Sequence, residues 1–74
     1  MAKYIIYGTK SCTYCTAAKE LLKAHMLPFE YHDISEDDAA FDVYLTFKKQ
    51  TVPQITFQGE LIGGFTDLKE KLNG

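Results

Sequence analysis

This chain of 74 residues is poor in the features that mark membrane, secreted or polyanion-binding proteins. No apolar run approaches the length of a membrane span. The apolar start "MAKYIIYG" is too short, and its lysine too isolated, for a secretory signal, so a cytoplasmic setting is expected. Eight basic residues against ten acidic ones leave a formal net charge of -2, drawn from interspersed signs rather than a block. Neither nucleic acid nor an anionic membrane is therefore expected as the main partner. Repeats, low-complexity tracts and Pro/Gly/Ser-rich linkers are all missing, which predicts a single domain over residues 1–74. At that length one core barely suffices to hold a chain folded. What is present suits a compact globule, expected to act as a monomer: 46% apolar residues, 24% charged residues, and ten Tyr or Phe.

The order of elements reads directly. Residues 3–8, "KYIIYG", are β-branched and aromatic and stop at a glycine, which predicts a buried strand. Thr13 to His25 is rich in helix formers, with Ala18, Leu21, Leu22 and His25 at helical spacing and Pro28 beyond. Residues 29–34, "FEYHDI", suit a second, less buried strand. "SEDD" then predicts a helix capped by Ser35, with Lys48 and Lys49 at its negative end and Phe41, Tyr44, Leu45 and Phe47 as its apolar face. "QITFQGELIGG" predicts an antiparallel hairpin turning at Gln58-Gly59, and "TDLKEKLNG" a last helix. The expected architecture is α/β: a mixed four-stranded sheet, built from a βαβ unit plus the hairpin and flanked by three helices. In such a sheet, chemistry belongs where the first strand ends and the first helix begins.

Both cysteines fall there, in "SCTYC". Cys12 and Cys15 would close a tiny loop, which removes little entropy from the unfolded chain, so a stabilising clasp is a poor explanation. Redox chemistry and metal binding are left. Their spacing puts the two side chains one helical turn apart on one face. The free amides at the helix start, aided by Lys10, favour an anion at Cys12, which makes it the candidate thiolate; Cys15, deeper, is the candidate resolving thiol. A thiol near pKa ~8.5 is only ~3% ionised at pH 7, and lowering its pKa to ~5 raises that ~30-fold. Nucleophilicity falls by a comparable ~25- to 60-fold over the same drop, so the gain lies in departure from a mixed disulfide. A metal would need further ligands, and His25 and His32 depart from two-Cys two-His spacing. The plainer readings place His25 at a helix end and His32 on a strand surface. An iron-sulfur cluster shared between two chains would require an outside thiol.

Two further segments carry signals. In "TVPQI", Pro53 sits at the mouth of a strand, where base rates alone favour a trans bond. An irregular segment there leaves backbone groups free to pair with an extended, peptide-like substrate. In "GGFTDL", two glycines precede a helix start whose amides suit a carboxylate, while Asp67 suits an ammonium; a turn followed by a cap is the plainer reading.

Together, "TKSCTYC", "TVPQI" and "IGGFTDL", in this order and at these separations, resemble the glutaredoxins, small members of the thioredoxin-like superfamily. The resemblance implies that Cys12 attacks disulfides, that Cys15 resolves, that Pro53 is cis, and that glutathione lies across the site as the electron-donating co-substrate. No tightly bound cofactor or metal is implied. Its glycine carboxylate would approach Lys10 and Lys49, and its cysteine backbone would pair at Val52, beside Thr51. Its γ-glutamyl end would meet Gly64, Phe65, Thr66 and Asp67, with Tyr14 as a wall. Thr13 departs from the family's usual proline, restoring an N–H and adding a hydroxyl beside Cys12. Two alternatives stay open: a redoxin reduced by thioredoxin reductase and serving ribonucleotide reductase, and an iron-sulfur or metal carrier.

Overall fold

The computed structural model describes residues 3–73. Along it run β1 (Tyr4–Gly8), α1 (Thr13–Ala24), β2 (Phe29–Asp33), α2 (Asp38–Thr46), β3 (Gln54–Phe57), β4 (Glu60–Gly63) and α3 (Phe65–Asn73). Gly74, read as the end of the last helix, lies outside the described residues. The strands form one sheet in the order β2-β1-β3-β4. β1 and β2 are parallel, with Ile6 opposite Tyr31, while β1 and β3 are antiparallel, with Ile6 opposite Ile55. β3 and β4 close the expected hairpin, and Gln58 and Gly59 have φ of 55° and 82°. Positive φ at both central residues is what a two-residue turn of the primed type requires.

Strand alternation sends residues to two cores, one on each face of the sheet. Tyr4, Ile6 and Ile55 meet Ala18 and Leu22 of α1 and Leu68 of α3; Ile6, Leu22, Ile55 and Leu68 are wholly inaccessible. On the other face Tyr7 meets Ala40 and Tyr44 of α2, with Ile5, Ile34, Phe47 and Val52 packed around them.

α2 departs from expectation at both ends and on its face. Its cap is Asp37, whose carboxylate accepts the Ala40 N–H at 3.1 Å, not Ser35. Asp33, ending β2, accepts both the N–H and the hydroxyl of Ser35, and its carbonyl accepts the N–H of Glu36 and Asp37. This Asx-type turn consumes Ser35 and delays the helix. The helix stops at Thr46, so its last turn carries no basic residue, and Lys48 lies beyond it at φ 57°. Phe41 and Leu45 face solvent; the buried stripe is Ala40 and Tyr44, continued by Phe47, spaced i, i+4, i+7. Smaller differences are that β2 ends before Ile34, that α1 ends at Ala24 with His25 as its cap, and that α3 begins one residue earlier than "TDL".

Candidate active site

Cys12 is the cap of α1, in extended backbone conformation at φ -93° and ψ 113°, and its Sγ accepts the Cys15 N–H at 3.0 Å. The sulfur thus occupies the position where a helix start stabilises an anion. The hydrogen bond this sulfur accepts comes from the Cys15 amide, not from Thr13. Cys12 and Cys15 are joined as a disulfide across 5.1 Å between Cα atoms. Cys12 is half-buried, whereas Cys15 is wholly inaccessible.

The burial of Cys15 rests on Gly8. A Cβ there would lie 2.5 Å from Cys15 Sγ and 2.7 Å from the Tyr31 hydroxyl, so sulfur and phenol fill the space a side chain would take. Tyr31 in turn donates to the Thr9 carbonyl at 2.6 Å, and burial, followed by the charge of Asp33, pushes its pKa up. In the sequence Gly8 stands only as a strand end, and nothing there marks Tyr31 for this role. A glycine four residues before a cysteine at a βα junction was the available signal.

Beside the cysteines runs a groove. Tyr14, Thr51, Val52, Pro53, Gly64, Phe65 and Thr66 line a hollow of about 160 Å³. It adjoins a wider depression of about 540 Å³ through the shared residues Thr51, Gly64 and Thr66, and there Lys49, Asp67 and Gln54 join the lining. The rings of Tyr14 and Phe65 stand 5.8 Å apart, and the Val52–Pro53 bond is cis, as the resemblance implies and base rates do not. Gly64 lies against Pro53, whose carbonyl a Cβ there would meet at an ordinary contact distance of 3.4 Å. Asp67 accepts the Gly64 N–H at 3.0 Å, the reach-back contact of a capping box, so the plain and the functional readings of "GGFTDL" share one carboxylate.

Nine of the ten residues expected to bind a ligand therefore line one continuous groove. Lys10 is the exception. It is paired with Glu36 and lines a separate hollow of about 330 Å³ with Thr16, Lys19, Tyr31 and Asp33. The Glu36 carboxylate, by hydrogen bond and by charge, holds the Lys10 pKa above the ordinary lysine value. The histidines stand apart: the His25 N–H caps α1 on the Leu21 carbonyl, and His32 pairs with Glu30 at 2.9 Å. Among the described residues no three His, Cys, Asp or Glu side chains gather as a metal site, and no helix is long and apolar enough to cross a membrane.

The sequence matches the model of the family described as Glutaredoxin over residues 4–62. It is 37% identical over 73 residues to Glutaredoxin of Vibrio cholerae, covering 88% of this chain and 84% of that protein. It is 30% identical over 69 residues to Glutaredoxin-2 of Schizosaccharomyces pombe, where it spans 63% of the relative's length and 88% of its own. Glutaredoxin 1 from Francisella tularensis, complexed with cacodylate, has a TM-score of 0.76 at 30% identity, covering 99% of this chain and 94% of the other. The buckwheat glutaredoxin-glutathione complex, at 23% identity and a TM-score of 0.81, covers 95% of this chain and 67% of its own and shares the thioredoxin-like fold. The family match runs from β1 into β4 and so takes in both cysteines and the Val52–Pro53 bond: the chain belongs to the glutaredoxin family of thiol-disulfide oxidoreductases.

Proposed function

We propose that the chain reduces glutathione mixed disulfides and protein disulfides by dithiol exchange through Cys12 and Cys15, with glutathione supplying the electrons. The observation that carries this is the placement of Cys12, half-buried at the start of α1 with its sulfur on the Cys15 amide, beside the groove. In the first step the Cys12 thiolate attacks the glutathionyl sulfur of a mixed disulfide. A Cys12–glutathione disulfide forms, and the substrate leaves as a thiolate that takes a proton from water. Cys15, having given up its proton, then attacks Cys12 Sγ, releasing glutathione and closing the disulfide. Two glutathione molecules reopen that bond and leave oxidised to glutathione disulfide. A thiolate at a helix start departs readily, which suits Cys12 to the last displacement, in which the second glutathione attacks the glutathionyl sulfur of a Cys12–glutathione disulfide and expels Cys12.

The groove supports glutathione as the ligand. Lys49 offers a cation for its glycine carboxylate, and Val52 offers backbone for its cysteine unit. The Gly64 to Thr66 segment offers helix-start amides for the γ-glutamyl carboxylate, and the second oxygen of Asp67 serves the ammonium. Lys10 joins this set by exchanging Glu36 for the carboxylate. The buckwheat relative's complex with glutathione supports the same ligand. A chain of this chemistry acts as a cytoplasmic monomer in electron transport to protein disulfides, among which that of ribonucleotide reductase is of the right class.

Cys12→Ser is expected to abolish reduction of a glutathione mixed disulfide, and Cys15→Ser to spare much of it. Retained turnover in Cys12→Ser would overturn the assignment. Faster turnover with thioredoxin reductase than with glutathione would replace the electron source.

A further inference from the structure

Thr51 is held from two elements at once. The Tyr44 hydroxyl, from α2, donates to the Thr51 carbonyl at 3.1 Å. The Gln54 amide, from β3, donates to the same carbonyl at 3.1 Å and to Thr51 Oγ1 at 3.2 Å. Both donors are buried, Tyr44 at 7% exposure and Gln54 at 3%. A carbonyl only accepts, so the Gln54 NH2 must face it, and the amide has one possible orientation. Two donors fill both lone pairs of the Thr51 oxygen.

This has a consequence for what docks alongside. The Thr51 carbonyl has no acceptor capacity left, and Pro53 has no N–H to give. Val52 lies between them, and among the described residues no hydrogen bond engages its N–H or its C=O. Among the backbone groups of this segment, Val52 alone offers both a free donor and a free acceptor, the pair that an extended peptide-like ligand uses when it adds as a strand. We propose that Tyr44 and Gln54 are positioning residues that fix the register of the thiol substrate, by saturating Thr51 and holding Val52 as the docking residue. The proposal rests on the glutathione reading above for the identity of that substrate.

The test uses Tyr44→Phe, Gln54→Met and the double variant of the full chain, each nearly isosteric, with a glutathionylated peptide as substrate. Each single variant is expected to raise KM roughly 2- to 10-fold, the range for one neutral hydrogen bond, while kcat changes less than about twofold. The double variant should raise KM by less than the product of the two, because both donors act on one carbonyl. The Val52 amide chemical shift, followed by NMR without substrate, should move in all three, because the Thr51 carbonyl and the Val52 N–H belong to one peptide unit. An unchanged KM, or a kcat that falls in step with thermal stability while KM holds, would overturn the proposal. An unmoved Val52 amide shift would overturn it as well, and that readout stands even if the wild-type chain fails to turn over glutathione, an outcome that would sink the functional reading instead.

Discussion

At Gly8 a side chain has no room, because the wholly buried sulfur of Cys15 and the Tyr31 hydroxyl already fill its place. Gly8→Ala is therefore expected to destabilise the disulfide form by about 1–3 kcal/mol, the usual cost of overpacking, read as a lower thermal unfolding temperature. An unchanged temperature would mean that sulfur and phenol move aside freely. Spacing and the place at a helix start narrowed the two cysteines to redox chemistry or a metal, and the resemblance decided between them. Tyr44 was legible as a core residue but not as a donor. Its hydroxyl reaches Thr51 only through the path of the α2–β3 loop, which no periodicity encodes. Gln54 was hidden for the same reason: an amide in an apolar strand gives no sign of which carbonyl it serves.

Among the elements, α2 shows where pattern stops being sufficient. "SEDD" contains Ser35, Asp37 and Asp38, all of cap-forming type, and local propensity does not choose among them. Asp33 chooses, by drawing Ser35 into its own turn and leaving Asp37 to meet the Ala40 amide. Asp37→Ala should cost about 0.5–2 kcal/mol in urea unfolding, and Asp37→Asn only a few tenths, because asparagine caps equally well. Equal losses in both would point to charge rather than the cap. The apolar face shifted with the helix: Phe41 and Leu45 supply hydrophobicity to the count but not to the core, whereas Ala40 and Phe47 complete a stripe with Tyr44. The existence and order of all seven elements survived such shifts, because each rests on composition over many residues rather than on one boundary.

For the molecule as a whole, topology was legible because few arrangements of these elements obey the handedness and adjacency rules. The two cores on either side of the sheet follow from it. Stability should respond to acid through β2 and its following turn. Asp33 is held below its ordinary pKa of 3.8 chiefly by the Ser35 hydroxyl, and Glu30 below 4.5 chiefly by Lys3 and then by His32. A carboxylate with a lowered folded pKa stabilises the fold above its unfolded value and loses that contribution as pH falls through the folded one. Unfolding free energy should thus decline as pH drops below about 4.5, and a Glu30→Gln/Asp33→Asn variant should flatten that decline in denaturant titrations at stepped pH. An equally steep decline in the variant would assign it to other acids. The inaccessibility of Cys15 bears on the folded chain in one more way. After reduction, a bulky maleimide is expected to label Cys12 first, and Cys15 only when the domain opens around it. The rate of that second labelling is then a clock for opening, built into the chain by the same packing that orders its chemistry.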